Sequence, residues 1–197
     1  MQHYLSNIKR GYSIIELLIV VVIMGLLAAI VIPSFSNFQQ NQDLKLSAEE
    51  MASNIRLAQS RSLSGSKGTT CAATDKLMGW YFAVQSGVLQ NTYSIAGACK
   101  SSSNTITPFN LELKNTKNSK VVINNVKIDS VSYNANQVFG LVEPVDGKIT
   151  FYLNSLSSVP ITYTQQIEMT LINNSVAGPG NTQKVVVTRS GEIYVTN

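Results

Sequence analysis

The chain has 197 residues, 44% of them hydrophobic and 13% charged, with 15 Lys and Arg against 11 Asp and Glu. That content supports one core of ordinary size, and so little charge excludes a disordered or strongly nucleic-acid-like chain. One globular domain plus one helix is the economical count, and the single histidine, His3, sits at the very start of the sequence.

The first element opens at Lys9-Arg10-Gly11-Tyr12-Ser13-Ile14-Ile15-Glu16 and stays apolar to Pro33, with Glu16 the one ionisable residue between Ile14 and Ile32. A run of about 18 or more apolar residues reads as a bilayer-spanning helix. A secretory signal has a basic start, an apolar core of roughly 7–15 residues and a small-residue cleavage site after it. Here the core is longer, no Ala-x-Ala pattern follows Ile32, and the candidate cleavage point, Gly11, precedes the apolar run. Cutting there leaves the greasy helix on the mature protein. Glu16 near the edge of that segment costs something like 2–3 kcal/mol on insertion scales, so it wants a partner. The amine of Tyr12 is the nearest one, and at about 4 Å the pair is worth roughly 4 kcal/mol before desolvation. The duller alternative is a carboxylate that snorkels to the headgroups.

Beyond Pro33 the helix resumes. Leu44, Ala48, Met51, Ile55 and Ala58 recur at helical spacing, with Lys45, Glu49 and Arg56 off the stripe, so one face is meant for burial. From Tyr12 to Leu63 a continuous helix would run about 78 Å, far more than a bilayer is thick. Ser60–Thr70 ends it, with Gly65 and Gly68 as stops.

Short β-like runs follow at 77–85, 88–95, 106–113, 120–128, 137–142, 148–153, 166–172, 183–188 and 192–196, with a tight hairpin expected at Ser86-Gly87. They imply a mostly antiparallel sheet that offers its apolar face to the helical stripe, an α+β chain. Alternation along the first run makes Trp80 and Phe82 core residues and leaves Tyr81 the freer side chain. Cys71 and Cys99 are expected to form a disulfide worth roughly 3–4 kcal/mol by chain entropy, two buried thiols being the alternative.

Together, the basic leader ending in Gly11, the aromatic Tyr12, the Glu16 five residues into the mature chain, and Pro33 resemble the prepilin segment of the type IV filament superfamily. The resemblance implies a leader at 1–11, a transmembrane and filament-core helix at 12–33, an amphipathic helix at 34–64 and a β-rich globular domain at 65–197. It implies cleavage after Gly11 by a prepilin peptidase, methylation of the Tyr12 amine, and roles in assembly and register for Glu16 and Pro33. The partners it implies are other pilin or pseudopilin subunits, the peptidase, an inner-membrane assembly platform, and lipid before assembly. The precursor would be a single-pass protein of the bacterial inner membrane, later a filament subunit outside it. Without the leader, 13 basic side chains face 11 acidic ones, about +2. The stretch Asn54–Ser62, the Cys71 strand, the Gly79-Trp80 pair and the terminal Val185–Val195 hairpin are similar to the GspH/FimT group of minor pilins and type II secretion pseudopilins. That group tends to read Ala-Arg-Ser-Glu-Ala where this chain has Ala58-Gln59-Ser60-Arg61-Ser62, so a major pilin stays open.

With His3 in the leader, histidine-based catalysis and metal binding leave the mature chain, and the sequence offers neither a Gly-rich phosphate loop nor an acidic calcium loop. No enzyme, metal or cofactor is expected. Lys114, Lys117, Lys120 and Lys127 in an acid-free span, with Arg189 on a turn, are weak nucleic-acid candidates; the favoured reading is a solvated strand edge. The competing function of another class is an uncleaved, membrane-anchored receptor for DNA or a surface ligand. Asn173-Asn174-Ser175 matches a glycosylation acceptor too short to carry weight.

Overall fold

The computed structural model describes residues 13–68, 71–85, 91–116, 119–129, 131–133, 137–161, 165–175 and 181–197, the side chains of 30–37 excepted. It is an α+β chain, an N-terminal helical part followed by an antiparallel β domain, consistent with a pilin fold. Two compact units divide it, Met1–Gln39 and Gln40–Asn197.

Helix α1 covers Ile14–Leu63. At its start the carbonyl of Ser13 accepts from the amides of Glu16 (3.0 Å) and Leu17 (3.2 Å). At its end Gly65 takes φ 66°. From there the amide of Ser66 donates to Arg61 O and that of Gly65 to Ser62 O, the paired bonds of a Schellman cap. Of the two expected stops, Gly65 is the cap.

Within the second unit, the expected stripe is buried throughout: Leu44, Ala48, Met51, Ile55 and Ala58 are each 0% exposed. Ten strands follow: β1 (Lys76–Gln85), β2 (Thr92–Lys100), β3 (Ile106–Asn115), β4 (Val121–Ile128), β5 (Val131–Ser132), β6 (Gln137–Val142), β7 (Ile149–Leu153), β8 (Gln166–Asn173), β9 (Thr182–Thr188) and β10 (Ile193–Thr196). They form two five-stranded antiparallel sheets, β3-β2-β1-β6-β7 and β10-β9-β8-β4-β5, instead of the single sheet the strand runs suggested. Both sheets turn an apolar face to the stripe, and one buried cluster joins the helix to Trp80, Phe82, Ile95 and Phe151 of the first and to Ile123, Met169, Leu171 and Val185 of the second.

Two other expectations need correction. The second strand is Thr92–Lys100, while 88–90 lie outside the described residues; it runs past the expected end at Ile95, a length hidden by Ala96-Gly97-Ala98, residues with weak β propensity. They are small for a packing reason: a Cβ on Gly97 would collide with the Phe109 ring that lies over it. The Ser86-Gly87 turn lies outside the described residues. Tyr81 is 6% exposed and not free; it packs with Ala83, Ala96, Ala98, Leu141 and Tyr152 in a second cluster on the opposite face of the first sheet.

Candidate functional site

Every large apolar side chain from Ile14 to Leu27 is exposed, from Ile14 at 87% to Val20 at 45%. Apolar surface of this kind is unfavourable in water, since its burial is worth about 25 cal/mol per Å². Among these residues sits Glu16, in the first turn and exposed. The spacing Ser13-x-x-Glu16 is that of a capping box, and a carboxylate there also opposes the positive end of the helix dipole. The spacing was legible in the sequence, and the contact between the two residues is the backbone bond from Glu16 N to Ser13 O. Gly11 and Tyr12 lie outside the described residues, as does the side chain of Pro33, through which α1 continues. Among the described residues no helix is long and apolar enough to cross a membrane. Side chains of the apolar run are described to Ala29, short of the roughly 18–20 residues a span needs.

The C-terminal end of α1 is fastened to the β domain by polar contacts. Ser62 is fully buried; its Oγ donates to Val142 O (2.6 Å) and accepts from the Trp80 amide (3.3 Å). Gly79 makes this approach feasible, because a Cβ there would run into Val142 O, and its φ is 143°. Trp80 is held at both faces of its role: the indole Nε1 donates to Ser66 O (2.9 Å), Phe109 meets the ring edge-on at 5.4 Å, and the Arg61 guanidinium lies 4.7 Å from its centroid. Arg61 also pairs with Glu112 on β3, which Lys114 contacts at 2.9 Å. The hydrogen bond from Arg61 and then that from Lys114 hold the Glu112 carboxyl below its usual range. Thus Arg61 finds its acid on a strand rather than on the helix. Farther along α1, Arg56 reaches Ile193 O (2.7 Å) and Gln59 reaches Gly191 O (3.1 Å). Asn54 donates to the Tyr93 hydroxyl (2.7 Å), a phenol that burial pushes up to about 12. Burial likewise raises Tyr81, and Tyr152 with help from Glu143.

Cys71 and Cys99 are joined by a disulfide, their Cα atoms 6.0 Å apart. The basic candidates do not share one element: Lys114 is ion-paired on β3, Lys127 stands opposite Glu168 in the β4–β8 register, and Arg189 is on the β9–β10 turn. The backbone carbonyl of Lys120 accepts from Asn174 N, and Lys117 lies outside the described residues. Asn173 of the acceptor motif is 0% exposed, its Nδ2 bonded to Gln40 O (3.1 Å), so its amide is not reachable for glycosylation.

Residues 6–32 match the family model for the prokaryotic N-terminal methylation motif. No solved structure matches the chain. The motif supports a type IV pilin-like precursor processed at its N-terminus, a family that is structural and not catalytic and that assembles with other pilin subunits.

Proposed function

We propose that this chain is a minor pilin or type II secretion pseudopilin, a structural subunit built into a type IV filament through its N-terminal helix. The observation that carries the reading is a capped helix whose apolar side chains from Ile14 to Leu27 are exposed, inside the stretch that matches the methylation motif. Such a surface needs lipid or sibling helices as solvent, and the continuation of the apolar run to Ile32 supplies the length of a span.

In this account a peptidase cuts after Gly11 and methylates Tyr12, and the membrane stores the single-pass precursor. An inner-membrane platform then extracts it, and contacts with other subunits replace lipid. Glu16 and the Tyr12 amine set the register, since an uncompensated charge among packed apolar helices is costly. Pro33 lacks the amide that would close a helical bond, so it loosens the helix locally. The β domain faces outward, and the Cys71–Cys99 bond suits an oxidising compartment. Replacing Glu16 with Ala should leave insertion intact and sharply lower the share of subunits recovered in sheared filaments. Normal incorporation of that variant would count against the mechanism.

A further inference from the structure

We propose that the corner where β1 begins and β2 ends is a binding pocket for a phosphate-type anion. Lys76 and Lys100 are direct partners in the β1–β2 register. Like charges placed opposite each other weaken a ladder, so the pair is a local cost unless an anion comes between them. Among the described residues neither lysine has an ion-pair partner; the salt bridges there are Arg61–Glu112 and Lys114–Glu112. The two side chains open on a pocket of about 340 Å³ whose other walls are Thr74, Ser101, Ser102 and Asn104.

The walls are held in place. Asn104 takes φ 64°, and the loop is tied by Ser101 N to Thr105 O (3.0 Å), Thr105 N to Ser101 Oγ (3.2 Å) and the Ser101–Ser103 hydroxyl contact (2.8 Å). The disulfide fastens the turn before β1 to the end of β2, so both lysine-bearing segments share one covalent clamp. Lys67 Nζ donates to Asp75 O (2.7 Å), which brings a third ammonium to that turn, where Asp75 is the acidic side chain.

Ammonium groups act as point charges on a tetrahedral oxyanion, and hydroxyl and amide donors can take its remaining oxygens. A carboxylate, with two oxygens, leaves most of these donors unused. The pocket is open to solvent on one side, so it can admit a phosphate ester on a small polyol as well as a bare phosphate. A single pocket with two facing lysines takes one such group and does not track a nucleic-acid strand, which needs a run of phosphate contacts.

The test uses the full chain in dodecyl maltoside, a detergent without phosphate. Inorganic phosphate and, separately, glycerol 3-phosphate are titrated at ionic strength fixed with chloride, and backbone amide shifts are followed by NMR. The expected result is saturable shifts confined to 74–76 and 100–104. Each of Lys76→Gln and Lys100→Gln should weaken binding about 3- to 5-fold, and the double variant should lose saturation while its melting temperature holds or rises. Lys76→Arg/Lys100→Arg should retain binding. Tighter binding of the ester assigns the hydroxyl wall to the polyol, and equal binding confines recognition to the phosphate; both uphold the site. Identical shifts with chloride alone, shifts without saturation, or unchanged affinity in the double Gln variant would overturn it. So would a short single-stranded oligonucleotide whose binding spreads the shifts well beyond these residues.

Discussion

Ser62→Ala tests how the helix is fastened to the first sheet. The substitution removes one oxygen and creates almost no cavity, so the packing term is small. What it deletes is the link between Val142 O at 2.6 Å and the Trp80 amide at 3.3 Å, at a site with 0% exposure where water does not substitute. A buried polar group stripped of its partner costs about 1–3 kcal/mol. For a chain of this size that lowers the melting temperature by roughly 2–4 °C per kcal/mol, or about 2–12 °C in all. Ser60→Ala is the control: Ser60 is two residues before Ser62, exposed on the opposite side of the helix, and such surface changes stay within about 0.5 kcal/mol. Thermal melts of the full chain in detergent, followed by near-ultraviolet circular dichroism, also report the environment of Trp80. If Ser62→Ala melts with the parent and leaves the Trp80 signal unchanged, the polar link contributes nothing and packing alone holds the helix end.

Further outcomes follow from the same contacts. Cys71→Ser opens a loop with sequence separation 28 and should cost about 3–4 kcal/mol, read as a lower urea midpoint that matches the parent under reductant. Raising the pH should destabilise the domain between about 10 and 12. Tyr93 is raised by burial, so its contribution is complete below the unfolded value of 10 and is lost as pH climbs through the folded value of about 12. The two-unit gap corresponds to about 2–3 kcal/mol, checked by chemical unfolding across that range; Tyr93→Phe should decline less steeply than the parent, the remaining slope coming from Tyr81 and Tyr152, which burial also raises. Glu112 works in the opposite sense: its lowered carboxyl stabilises above the usual range near 4.5, and that support fades as pH falls through its folded value. Glu112→Gln should flatten the acid limb slightly.

The helical stripe and most strands were legible because apolar periodicity of 3.6 and 2 residues is written locally, as Leu44–Ala58 and Gln166–Asn173 show. Alternation placed Tyr81 on the face opposite Trp80 correctly but says nothing about whether that face is covered; Tyr152 and Leu141, which bury it, come from β7 and β6. The split into two sheets rests on which strands pair, such as β1 with β6, and pairing partners far apart in sequence leave no local mark. The same holds for Arg61, whose acid lies 51 residues away. Gly97 reads as a strand breaker until Phe109 is seen over it. At the N-terminus the balance reverses: the residues around Gly11 and Tyr12 speak through motif alone.

The most direct test of the central reading is the intact mass and N-terminal sequence of the chain recovered from sheared surface filaments and from membranes of its native cell. A chain that begins at methylated Tyr12 in the sheared fraction is the predicted result. A chain that still begins at Met1, found only in membranes, would contradict it and make an uncleaved anchored receptor the better account.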